Sequence, residues 1–133
     1  MRSYIPLHPS AEINKAIIEE VSIMNVDKFN FKKTFKNTCM EAVETFGVIS
    51  QLDQAQEEAA ELIAAISGYK RALESRDIER IRLTKEKVQF ELADNAIMSK
   101  QLKLILDLSK QDFRNKISVK LKKLANYIAT GTK

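Results

Sequence analysis

Two stretches decide the fold: Glu57-Glu58-Ala59-Ala60-Glu61-Leu62-Ile63-Ala64-Ala65-Ile66, and further on Glu91-Leu92-Ala93-Asp94. Neither shows the apolar–polar alternation of a strand, and both read as helix. Three positions on an α-helix advance the direction by about 300°, so residues three apart project within about 60° of each other. Glu58 and Glu61 therefore share one face, and Glu91 and Asp94 share another. Glu57 points nearly the opposite way and is left out. Four carboxylates paired in this way on two helices form a cage suited to a hard divalent cation.

The surroundings of the pairs differ. Over residues 48–67 the apolar stripe runs through Val48, Leu52, Ala55, Ala59, Leu62, Ile63 and Ile66, with Glu58 and Glu61 on its shoulder. The second helix carries two apolar faces, one through Val88, Leu92, Ala96, Leu102 and Leu106, the other through Phe90, Ile97, Leu104 and Leu108. Glu91 and Asp94 fall in the arc between them, and the wet strip is confined to Gln89, Lys100, Lys103 and Asp107. Both acids are expected inside protein, where an ionised carboxylate left unpaired costs several kcal/mol. A metal, a basic partner or a shifted pKa would satisfy them; a buried salt bridge or an ordinary solvated face is the plainer alternative.

At 133 residues one domain is expected. Prolines occur only at Pro6 and Pro9 and glycines number three, so little interrupts helix after Ser10. The pattern predicts helices over 11–24, 31–46, 48–67, 74–108 with a break before Thr84, and 112–129. Gly47 and Gly68 punctuate them, and residues 1–10 read as an irregular arm. Ser50 and Asp53 have the spacing of a helix N-cap box, with a helix already begun before Ser50 as the alternative. The organisation is thus an arm and helix over 1–33, a helical core over 34–108 and a C-terminal helix over 109–133. The fold class is all-α, with a four-helix arrangement. One chain has few long helices to cover two apolar faces, which points to completion by a second copy, with packing of the terminal helices as the competing account.

Several chemistries are ruled down. His8 is the only histidine and Cys39 the only cysteine, so histidine- and thiolate-based metal sites lack ligands. The scattered glycines make no phosphate-cradling loop. A lone cysteine makes no internal disulfide, no secretory signal opens the chain and no run is long and apolar enough to span a bilayer, so a cytoplasmic protein without membrane contact is expected. The net charge of +4 is concentrated at the end: seven basic residues and one acid lie in 110–133. There Phe113, Ile117, Leu121, Leu124 and Ile128 recur opposite Lys116, Lys120 and Lys123, an amphipathic basic helix. Docking on the bundle with its lysines in solvent is the favoured reading of this helix, attraction of nucleotide phosphates or nucleic acid the second, and a membrane surface the last.

The strings Phe46-Gly47-Val48-Ile49-Ser50-Gln51, residues 57–66, Glu91-Leu92-Ala93-Asp94 and Gln101-Leu102-Lys103-Leu104-Ile105-Leu106 resemble the MazG-like all-α nucleoside triphosphate pyrophosphohydrolases, and most closely their small single-domain versions of phages and prophages. The resemblance covers roughly residues 34–108. It implies a helical bundle completed by dimerisation, as a homodimer or tetramer. It also implies Mg²⁺, with Mn²⁺ as a substitute, held by Glu58, Glu61, Glu91 and Asp94, and a (d)NTP substrate cleaved between the α- and β-phosphates to (d)NMP and pyrophosphate. A phage member would work in the host cytoplasm. Phe90 stands where many relatives carry another acid, and Asn95 where an apolar residue is common.

Four further residues are candidate substrate contacts. Gln51, seven residues before Glu58 and nearly on its face, suits a base or ribose, with a plain surface position as the favoured alternative. Lys70 and Arg71 follow the first acidic helix just after Gly68, where a basic side chain could reach the phosphates, with a solvated helix end as the alternative. Asn95 would hydrogen-bond a base or sugar, or else make a polar contact between helices. The alternatives to the general hydrolase are a phosphoribosyl-ATP pyrophosphohydrolase and a non-catalytic dimeric helical module acting through its basic tail.

Overall fold

The computed structural model describes residues 30–132, which form four α-helices and no strand: α1 (Phe31–Phe46), α2 (Val48–Ser75), α3 (Ile78–Ile105) and α4 (Lys110–Thr130). The expected arm over 1–10 and helix over 11–24 lie outside the described residues. Among the described residues no helix is long and apolar enough to cross a membrane.

The helix boundaries follow from local chemistry. Gly47 separates α1 from α2 at φ 85°, ψ 159°, a conformation open to glycine but strained for residues with a Cβ. Its N–H closes α1 on the Val43 carbonyl at 3.0 Å, and its carbonyl accepts the Gln51 N–H at 3.1 Å to start α2. Ser50 is therefore already inside the helix, and no side chain caps it.

Gly68 does not end α2, as the sequence pattern predicts; the helix runs on to Ser75. One interior glycine costs only about 1 kcal/mol against alanine, and the packing periodicity continues past it, with Ala65 and Ala72 both buried on one face. The actual stop is Arg76, left-handed at φ 56°, followed by Asp77, whose carboxylate accepts the Arg80 N–H at 3.1 Å and caps α3. The break expected before Thr84 is absent, and the Thr84 hydroxyl instead donates back to the Arg80 carbonyl at 2.7 Å. At the far end α3 stops three residues sooner than expected. Asp107 takes φ 48° and the Leu108 N–H reaches the Lys103 carbonyl at 2.9 Å, a Schellman-type closure. Ser109 then caps α4 by accepting the Asp112 N–H at 3.0 Å.

Helices α2 and α3 pack along their lengths as an antiparallel hairpin. On α2 the facing line is Gln51, Glu58, Ala65 and Ala72, each seven residues from the last; on α3 it is Ile81, Thr84, Val88, Glu91, Asn95 and Met98, alternating three and four apart. That is the spacing of a coiled-coil seam. Its small members let the helices approach, and its polar members place the acids at the contact.

The burial differs from the expected stripes. Among the described residues the buried apolar ones are Cys39, Ala65, Ala72 and Met98, all small or flexible. Of the larger apolar residues assigned to core faces, Val48, Ile63 and Ile66 on α2 and Phe90, Leu92, Ile97 and Leu106 on α3 are exposed, while Leu52, Leu62, Val88, Leu102, Leu104 and Leu108 are half-buried. Two helices cover each other along one line only, so residues more than about a quarter-turn from that line stay bare. Helix α4 buries none of its residues, and α1 buries only Cys39, whose thiol lies 3.9 Å from the Ile97 carbonyl.

Candidate metal centre

Glu58 and Glu61 come from the third and fourth turns of α2 and Glu91 from the middle of α3. Carboxylate oxygens of the three lie within 4.8 Å of one another. The elements fix this meeting. Asn95, one turn beyond Glu91, donates its Nδ2 to the Glu58 carbonyl across the seam and to the Glu91 carbonyl on its own helix, both at 2.9 Å. This clamp holds the α2–α3 register at the level of the acids. Asn95 thus makes the polar contact between helices; as a substrate contact it would have to share an amide already engaged twice. Gln54 donates to Glu58 Oε1 and orients that carboxylate.

Glu91 is only 8% exposed, and its Oε2 is buried without a hydrogen-bond partner. Its pKa is raised, first by burial, then by the charges of Glu61, Asp94 and Glu58; Lys87, one turn earlier on α3, acts against them. A buried oxygen without a donor among three converging carboxylates could take either a cation or a proton. The donor set fits a hard one, being all oxygen. Opposite ligands of a Mg²⁺ at 2.0–2.1 Å stand about 4.2 Å apart, a spacing compatible with oxygens that lie within 4.8 Å of one another.

Asp94 departs from expectation. It is exposed and falls outside the group of three, although near enough to act on Glu91. It sits three residues past Glu91 on the flank of the seam, where α2 does not cover it. The arc judged buried from the wheel is thus buried on one side only.

The remaining expectations divide. Gln51 is 7% exposed, so it is an interior residue, about 10.5 Å along α2 from Glu58 by helix rise. Lys70 and Arg71 are exposed, and because α2 continues through Gly68 they stand about 13–15 Å along the helix beyond Glu61. The structure does not bring them to the acids of their own chain. Sequence reasoning missed Gln101, 5% exposed with a buried Oε1 that has no partner. Its place three residues after Met98, on the seam side of α3, was the available signal. Gln51 and Gln101 give the hairpin a second polar interior position, two to three turns from the acids. No protein-family model matches the chain, and no curated protein and no solved structure is significantly similar to it.

Proposed function

We propose that this protein is a Mg²⁺-dependent nucleoside triphosphate pyrophosphohydrolase of MazG-like type, with Glu58, Glu61 and Glu91 holding the metal and Asp94 joining them once substrate or a second ion is bound. The observation that carries the reading is the unpartnered buried oxygen of Glu91 inside a three-carboxylate cluster. Carboxylates repel a triphosphate, so a divalent ion is what reconciles these residues with that substrate. Mg²⁺ bound there would neutralise phosphate oxygens and lower the pKa of an attacking water, Mn²⁺ doing the same. Water adds across the α–β anhydride, the bond to the bridging oxygen breaks, and (d)NMP and pyrophosphate leave.

The chain's own part is positional. The Asn95 clamp fixes the spacing of the two acidic helices, and Gln54 orients Glu58. A homodimer or tetramer is part of this reading. Ile63, Ile66, Phe90, Leu92 and Ile97 stand exposed around the acids, and a second copy would cover them.

The test is incubation of the purified protein with each common NTP and dNTP in Mg²⁺, with products separated. Monophosphate plus pyrophosphate, lost in Glu61→Gln, supports the reading. No turnover in Mg²⁺ or Mn²⁺ sinks the general hydrolase, and phosphoribosyl-ATP becomes the next substrate to try. The bare surface of α4 favours the second reading, a non-catalytic helical module. It gains if neither metal nor nucleotide alters thermal stability.

A further inference from the structure

At the corner where α3 hands over to α4 the helices enclose an open cavity of about 350 Å³. Lys100 and Lys103 line it from the last turns of α3, Lys110 and Arg114 from the first turns of α4, and no carboxylate lines it. None of the four cations pairs with an acid among the described residues. Lys103 Nζ rests over the Phe113 ring, 3.9 Å from its centroid, which holds the ammonium at the cavity wall. Asp112, the nearest acid on α4, hydrogen-bonds the Ser109 hydroxyl at 2.7 Å and stays outside the lining. Along α3 the corner is nine to twelve residues past Glu91, about 14–18 Å from the acid cluster.

Four like charges around one cavity repel each other, and a single carboxylate would leave most of that charge uncompensated. Clustered phosphate oxygens match it: three or four negative charges in a small volume, with acceptors for both ammonium groups and a guanidinium. We propose that this corner is a metal-free binding site for a phosphate polyanion, with Lys103 and Arg114 as its main ligands. Free pyrophosphate or nucleotide and a nucleic-acid backbone present the same chemistry. The site stands apart from the acid cluster: there phosphate binding requires a divalent ion, here it does not, so either assignment can fail alone.

The experiment titrates inorganic pyrophosphate into the full-length protein in EDTA, followed by calorimetry and by amide chemical shifts. Binding is expected to move the amides of Lys103, Ser109 and Phe113. Lys103→Gln and Arg114→Gln should each weaken it by about tenfold or more, as loss of a charge-assisted hydrogen bond implies. Glu61→Gln should leave it unchanged. Circular dichroism checks each variant for helix content, and Lys103→Arg, which keeps the charge, should retain binding. A thymidine 12-mer without terminal phosphates that displaces pyrophosphate assigns the site to nucleic-acid backbone; failure to displace assigns it to free phosphate compounds. No binding in EDTA at millimolar pyrophosphate overturns the proposal, as does binding that survives the Lys103→Gln/Arg114→Gln double variant.

Discussion

Replacing Glu91 by Gln should stabilise the metal-free protein while abolishing its response to Mg²⁺. At 4.8 Å, the widest spacing within the cluster, a carboxylate pair repels by about 3–4 kcal/mol at an effective dielectric of 20 and by about 1 kcal/mol in water. Glu58 and Glu61 are half-buried, so the net cost of ionising Glu91 beside them lies between these limits, about 2 kcal/mol. For a chain of this length that is a rise of about 7 °C in Tm at pH 8 in EDTA. The pH dependence gives an internal check. The pKa of Glu91 is raised in the folded state, so its protonated form favours folding. That contribution is fully present below the unfolded carboxylate value and is lost as pH rises through the raised folded value. Wild type without metal should therefore lose stability from pH 5 to pH 8, and Glu91→Gln should lose less. Mg²⁺ at a hundred times its Kd should restore about 2.7 kcal/mol to wild type and little to the variant. The assay is thermal unfolding at both pH values with EDTA or Mg²⁺. A variant less stable than wild type in EDTA at pH 8, or one that Mg²⁺ stabilises equally, would refute the reasoning.

Other outcomes follow from single contacts. Asn95→Ala removes two hydrogen bonds, one of them across the seam, and should cost about 1–2 kcal/mol in denaturant unfolding and weaken Mg²⁺ binding by loosening the register. Gly68→Ala should stabilise by about 0.5–1 kcal/mol, because the position is helical and a Cβ there meets nothing within 4 Å; a loss of stability would show that the helix does not run through it. Asp77→Ala removes the cap of α3 and should cost about 1 kcal/mol, with Asp77→Ser recovering most of it. Ile97→Lys, beside the acids on the exposed side of α3, should lower the molecular mass seen by sedimentation if a second copy covers that face.

Helix content and the pairing of acids were legible because both depend on spacing within one segment. The span of α1 follows from residues 31–46 alone, and Glu58 with Glu61 face one way on any α-helix. The stops were harder. Gly68 looks like punctuation but carries no positive φ, whereas Arg76 takes the left-handed turn although its side chain disfavours it, its N–H bonding the Leu73 carbonyl and Asp77 capping the next helix. Burial was beyond the wheel. A periodicity shows which residues share a face, but which line of that face meets a neighbour depends on the neighbour's small residues. Here Ala65 and Ala72 draw α3 onto the line of Gln51 and Glu58, leaving Ile63, Ile66, Phe90 and Leu92 bare and Asp94 in solvent. The sequence by itself determined the all-helical class and the two acidic pairs; four of its five expected helices fall on described residues and are present, and the one over 11–24 lies outside them. Only tertiary structure decided that three of the acids converge, that Glu91 is the buried one among them, and that Lys70 and Arg71 lie away from them, because seam register and helix length arise from contacts between segments.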